Sequence, residues 1–182
     1  MADSSRPGEI VMLRTIARLA AAFLFAASSC CHADANVGEA VPDVVLGVTQ
    51  AGASVRVSDH AGKVVVVSFW ASWCAPCRKE LAILEGLQLE GKGNLQVVAV
   101  NIEDRELFKK AAGLLGEMHV LLVNDRNERS QKAYDVKAIP HMVIIGKDGR
   151  ILGMHKGYGE DALAGIVDEI NHALTPASAN SG

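Results

Sequence analysis

Two cysteines, Cys74 and Cys77, stand two residues apart in Phe69-Trp70-Ala71-Ser72-Trp73-Cys74-Ala75-Pro76-Cys77-Arg78-Lys79-Glu80. Thiols at this spacing can exchange disulfides, form a structural bridge, supply half of a zinc site, or pack as small apolar side chains. A structural bridge across two residues closes a small loop and stabilises little. A four-ligand zinc site needs a second Cys or His pair at matching spacing, and the chain has none. A redox pair needs a strand before it and a helix after it.

The flanking residues supply both elements. Val64 to Val67, with Phe69 and Trp70, make an apolar, β-branched run bounded by Gly62-Lys63, which predicts a buried strand. Leu81, Leu84, Leu87 and Leu89 recur at roughly helical spacing among charged residues. The cysteines therefore open a helix. A helix start carries unpaired N–H groups and a partial positive charge, which stabilise a thiolate and lower its pKa. Pro76 suits a first turn, where its missing N–H is not needed. The expectation is one sulfur, Cys74, at the exposed helix tip. Cys77 lies within disulfide reach and less exposed.

Trp73-Cys74-Ala75-Pro76-Cys77 after a hydrophobic strand resembles the active site of the thioredoxin superfamily. With Gly62-Lys63-Val64, Ser68-Phe69-Trp70-Ala71-Ser72-Trp73 and Arg78-Lys79-Glu80, the chain is most similar to the TlpA/ResA-like branch of thiol-disulfide oxidoreductases, from about Val41 to about Leu174. The resemblance implies an α/β thioredoxin fold: a central mixed sheet flanked by helices, an N-terminal β-hairpin and a helix-strand insert. The sequence has room for each part. Strands are expected at Val44 to Val48, Ser54 to Val57, Leu95 to Asn101, His119 to Val123, Met142 to Ile145 and Ile151 to His155. Helices are expected at Glu103 to Leu115, Asn127 to Tyr134 and Asp161 to Leu174.

A second motif, Val136-Lys137-Ala138-Ile139-Pro140-His141, lies before a strand. A proline there could be an ordinary trans strand opening, since only about 5–6% of X-Pro bonds are cis. The resemblance implies a cis Pro140 against the disulfide, with the backbone of Ile139 pairing with an incoming substrate. It likewise places Trp73 among the substrate contacts. The branch lacks the buried Asp of plain thioredoxin, and Ser68 stands at that position here. It carries instead a Glu three residues after the second cysteine, which is Glu80. That spacing is one helical turn from Cys77. A partly buried carboxylate there would have a raised pKa and could exchange a proton with Cys77. The plain alternative is a solvent-exposed helix Glu. Two departures stand out. Ala82 replaces the usual helix proline, and His141 replaces the usual Thr after the cis proline. His141 is expected to pack or face solvent rather than to act.

The first 35 residues read as a secretory signal. Arg14 and Arg18 precede the apolar segment Leu19 to Ala27, which is too short to span a bilayer. Met12 is an alternative start. Ala33-Asp34-Ala35 offers cleavage before Asn36. Ala27-Ser28-Ser29-Cys30 loosely resembles a lipobox, with lipid attachment at Cys30 as the alternative. Residues 36–174 then form the thioredoxin-like domain and 175–182 a polar tail. The 182 residues suffice for one domain with a real core. Net charge is −3, so nothing in it suggests nucleic acid or an anionic membrane as partner.

No flavin, nucleotide or metal motif is present, so no cofactor is expected. The resemblance implies a reductant in an oxidising compartment, recharged by an integral-membrane thiol electron donor. Its protein disulfide substrates would be apocytochrome c cysteines or those of a copper-site assembly protein. Two other classes compete. A thioredoxin-fold copper carrier would use Cys74, Cys77 and His141, although such carriers separate their cysteines by three residues. A peroxiredoxin-like peroxidase would need a Pro-x-x-x-Thr-x-x-Cys loop, which is absent.

Overall fold

The computed structural model describes residues 35–157 and 159–175. The signal segment to residue 34 and nearly all of the expected tail lie outside the described residues.

The first element is a hairpin of β1 (Gly47–Val48) and β2 (Ser54–Val55), paired antiparallel. It is shorter than the expected Val44–Val48 and Ser54–Val57. The chain after Val55 turns at once into a single 3-10 turn, Val57–His60, closed by Asp59 accepting from the Arg56 N–H at 2.7 Å. Gly47 is required where it stands. A Cβ there would lie 2.9 Å from the Asn124 backbone, so only glycine lets the hairpin approach its neighbour.

Next come β3 (Val64–Trp70), α1 (Ala75–Glu90), β4 (Leu95–Asn101), α2 (Arg105–Leu115), β5 (Leu121–Asn124), α3 (Arg129–Ala133), β6 (His141–Ile145), β7 (Ile151–Lys156) and α4 (Glu160–Leu174). The strands of the described residues make one sheet in the order β2-β1-β5-β4-β3-β6-β7. Strands β3, β4 and β5 are mutually parallel, whereas β6 and β7 run antiparallel to their neighbours. This is the mixed sheet expected of a thioredoxin fold.

The apolar runs of β3 and β4 are explained by burial on both faces. All seven residues of β3 are buried. On one face Val64, Val66 and Trp70 pack with Cys77, Leu81 and Leu84 of α1 and Ile166 and Ile170 of α4. On the other face Val65, Val67 and Phe69 pack with Leu46, Val55, Val57 and Tyr134. Two boundaries differ for local reasons. Strand β5 begins at Leu121 rather than His119, because the His119 and Val120 N–H groups donate to the Glu85 carboxylate instead of a neighbouring strand. Helix α2 begins at Arg105 because Asp104 caps it, accepting from the Glu106 and Leu107 N–H groups at 3.0 and 2.9 Å. Leu89, expected on the buried stripe of α1, is 54% exposed. Among the described residues no helix is long and apolar enough to cross a membrane.

Candidate functional site

Strand β3 ends at Trp70, and α1 starts five residues later. Cys74 is the N-cap of α1, with Ala75 and Pro76 in its first turn. The two sulfurs form a disulfide, with the Cα atoms 5.3 Å apart. The Cys74 sulfur accepts a hydrogen bond from the Cys77 N–H at 3.3 Å. That donor is one of the free groups of a helix start, and it would favour a thiolate on Cys74 once the bond is reduced.

Exposure departs from expectation. Cys74 is only 4% exposed and Cys77 1%. The tip of the helix lies under neighbouring side chains, and Ile139 packs against the cluster that holds both cysteines. Trp73, by contrast, is 69% exposed beside the disulfide.

The Ile139–Pro140 bond is cis. Phe69 of β3 pairs with His141 of β6, so Pro140 flanks the carboxyl end of β3, where the chain runs into the Cys74 loop. The Pro140 carbonyl accepts from the Gly157 N–H at 2.9 Å. The N–H and C=O of Ile139 have no hydrogen-bond partner among the described residues. A backbone with both groups unused is a place where an extended peptide can pair.

Glu80 is on the inward face of α1 and 1% exposed, not a surface residue. The Ser68 hydroxyl donates to its Oε1 at 2.5 Å. Its Oε2 has no partner. Burial pushes its pKa up from 4.5 to about 7, with the Ser68 hydrogen bond pulling the other way. Ser68, read from sequence only as the replacement for an absent Asp, is thus the partner of the carboxylate. Both Ser68 and Cys77 belong to the face covered by α1. The missing proline at Ala82 leaves α1 a continuous helix from Ala75 to Glu90.

His141 lies on the opposite face. It pairs with Phe69, whose side chain is in the second cluster, and the two rings meet edge to face at 5.7 Å. It is fully buried, and neither ring nitrogen has a partner. Burial, aided by Lys156, lowers its pKa to about 4. The sheet separates His141 from the sulfurs, which overturns the copper reading that joined it to Cys74 and Cys77. Among the described residues no group of three or more His, Cys, Asp or Glu is placed to hold a metal ion.

The sequence reading missed one further set of residues. The Glu103 carboxylate accepts from the Ser72 N–H at 2.6 Å, the Ser72 hydroxyl at 2.7 Å and the Asn101 amide at 2.9 Å. The Asn124 amide donates to the Glu103 carbonyl at 2.8 Å, and the Arg78 guanidinium donates to the Ser72 carbonyl at 2.5 Å. These groups brace the loop that carries Trp73 and Cys74. The available signal was the polar Asn101 closing the apolar run from Val97 to Val100.

Comparison with known proteins agrees with this geometry. The family model for redoxin matches residues 36–170. Thioredoxin-like protein YneN of Bacillus subtilis is 33% identical over 66% of this chain and 71% of its own length. Thiol-disulfide oxidoreductase ResA of the same organism is 30% identical, over 66% of this chain and 67% of its own. The match thus spans about two thirds of these relatives. Among solved structures, a protein of Chlorobium tepidum assigned as thiol:disulfide interchange protein DsbE superposes with a TM-score of 0.69. It is 29% identical and covers 78% of this chain and all of the other.

Proposed function

The chain belongs to the redoxin family and is a thiol-disulfide oxidoreductase of the ResA/DsbE type, and from that premise we propose how it works and where. The protein is a reductant of protein disulfides outside the cytoplasm. Residues 1–35 direct export, 36–174 form the working domain and 175–182 a tail, with lipid attachment at Cys30 as the other route. The observation that carries the catalytic reading is a disulfide at a helix cap with a buried Glu80, its pKa pushed up to about 7, one turn further in.

In the reduced protein the Cys74 thiolate attacks one sulfur of a client disulfide. The client's other sulfur leaves as a thiolate and takes a proton. Cys77 then loses its proton to the Glu80 carboxylate and attacks the Cys74 sulfur. The client's second sulfur leaves as a thiolate and takes a proton from solvent, and Cys74–Cys77 is left oxidised. Two electrons pass from the dithiol to the client. A pKa near 7 suits Glu80 to take that proton at neutral pH and to return it when the dithiol is regenerated. Trp73 offers the client an exposed aromatic surface, and the Ile139 backbone beside the cis Pro140 offers it hydrogen bonds. Apocytochrome c cysteines or a copper-site assembly protein are the clients that the TlpA/ResA resemblance suggests, with an integral-membrane thiol carrier as the electron donor.

Cysteine trapping tests the assignment. Cys77→Ser, purified from the extracytoplasmic fraction, should carry client proteins as mixed disulfides on a non-reducing gel. Cys74→Ser should carry none and be inactive. Trapping by Cys74→Ser would reverse the two roles. Trapping by neither variant would remove protein disulfides as the substrate.

A further inference from the structure

A second concentration of chemistry lies at the same end of the parallel strands as the disulfide. The dithiol follows the carboxyl end of β3. A cavity of about 310 Å³ adjoins the carboxyl end of β5 and is lined by Asn124 together with Arg105, Arg126 and Arg129. Arg105 opens α2, Arg129 opens α3, and Arg126 lies in the turn after β5. None of the three guanidinium groups has an ion pair or hydrogen bond among the described residues.

Among the described residues none of the nearby acids pairs with these arginines, and the one carboxylate in the cavity lining, Asp125, leaves the three guanidinium groups in excess. Asp104 caps α2, and the Glu103 carboxylate holds Ser72. Asp125 lines the cavity, but its carboxylate accepts from the Arg129 N–H, the Ser130 hydroxyl and the Gln131 N–H. Glu128 pairs with Lys132 at 3.1 Å. Three unpaired arginines therefore share one concavity in a chain whose net charge is −3. Like charges held together without partners favour an oxyanion between them, and the guanidinium fork matches a carboxylate.

Placement points to the source of that carboxylate. In the sheet order, β5 is two strands from β3, a lateral separation of about 10 Å. The cavity wall and the active-site loop are also tied together. Asn124 donates to the Glu103 carbonyl, and the Glu103 carboxylate holds Ser72, two residues before Cys74. An extended peptide covers about 3.4 Å per residue, so an acidic residue about three or more positions from the exchanging cysteine would span the gap.

We propose that Arg105, Arg126 and Arg129 form a subsite for acidic side chains of the protein whose disulfide is exchanging at Cys74. The subsite rests on the reading that proteins are the substrates. It selects among clients by local charge, and it should act mainly on their capture.

Twin peptides test it. Each holds one internal disulfide followed about six residues later by Asp-Glu-Asp in one and Asn-Gln-Asn in the other. A third carries Lys-Arg-Lys. Reduction rates by the full-length reduced protein are normalised to its turnover of uncharged hydroxyethyl disulfide. At low salt the acidic twin should react about tenfold faster than the neutral one, the size expected of several part-exposed charge pairs. Salt at 0.5 M should erase the preference. The triple Arg→Gln variant at 105, 126 and 129 should lose it, and Arg126→Glu with Arg129→Glu should turn it toward the Lys-Arg-Lys peptide. Equal rates on the twins with wild-type protein would overturn the proposal, as would a preference that survives the Gln variant. Inorganic phosphate bound at the arginines, seen by calorimetry, without any peptide preference would assign the cavity to a free anion instead. Turnover of hydroxyethyl disulfide but of no peptide would sink the protein-substrate reading itself, a result distinct from equal peptide rates.

Discussion

Glu80 and His141 are both buried ionisable side chains, and the sheet stands between them. Glu80 lies on the α1 face with Cys77 and is hydrogen-bonded by Ser68. His141 lies on the far face against Phe69 and has no polar partner. In each case loss of water favours the neutral form, so the carboxylic acid is pushed up to about 7 and the imidazole down to about 4. The physics is the same and the consequence differs. Near neutral pH Glu80 is poised between its two forms, while His141 is simply neutral. Burial by itself does not make an acid–base group. What matters is where the shifted pKa lands and whether a reacting atom is one turn away.

The comparison is tested most strongly by Glu80→Gln. The amide keeps the shape of the neutral acid but cannot take a proton. Disulfide exchange at pH 7 should slow about a hundredfold, as expected for loss of a positioned acid–base group. The inflection near pH 7 in the pH–rate profile should vanish. A stopped-flow profile from pH 5 to 9 that matches wild type would make Glu80 a bystander like His141.

Stability offers a second test, because the two groups have opposite signs. Glu80 has a folded pKa above its ordinary 4.5, so its contribution is whole below pH 4.5 and is lost as pH rises through about 7. His141 has a folded pKa below its ordinary 6.5, so its contribution is present above pH 6.5 and is lost as pH falls through about 4. Each full swing is worth roughly 3 kcal/mol. Between pH 4.5 and 6.5 the two slopes overlap and offset. Removing either group should expose the other. Urea unfolding of oxidised His141→Phe should show stability falling from pH 4.5 to 7, whereas Glu80→Gln should show it rising from pH 4 to 6.5. Exchange by His141→Phe at pH 7 should stay within about twofold of wild type. Parallel pH–stability curves for the two variants would end the claim that the groups are mirror images.

How much of this was legible beforehand follows the same division. The strand β3, the helix opening at the cysteines, the strand β4 and the 160s helix were readable because each carries a strong apolar period or run. The cis Pro140 was readable only through family resemblance, since nothing in Ala138-Ile139-Pro140 itself selects cis. The short hairpin was overdrawn. Its strands owe their length to a close approach at Gly47 and to a polar turn at Arg56–Asp59, neither of which has a periodic signal. The burial of Cys74 was missed because helix-start chemistry says nothing about which neighbours cover the tip. The Glu103 brace was missed because it joins Ser72 in the loop after β3 to Asn101 and Asn124 at the ends of β4 and β5, and the sheet order brings these strand ends together. His141 could not be placed until the register with Phe69 fixed its face.

The smallest expected effect concerns Ser68, the one polar contact that distinguishes the Glu80 side from the His141 side. Its hydroxyl donates to Glu80 and so stabilises the carboxylate, holding the pKa below what burial alone would set. Ser68→Ala removes that donor while leaving a small residue in a fully buried strand. A single hydrogen bond to a charged group contributes on the order of 1.5–3 kcal/mol. Relaxation at the site should leave about one pKa unit or less of that. The inflection in the pH–rate profile should therefore move up by about half to one unit, with exchange at pH 7 a few-fold slower. Ser68→Thr, which keeps the hydroxyl and suits a strand, should restore the wild-type inflection. An inflection that stays put in Ser68→Ala, or moves down, would mean that burial alone sets the Glu80 proton. Glu80 would then differ from His141 only in its distance from the thiols.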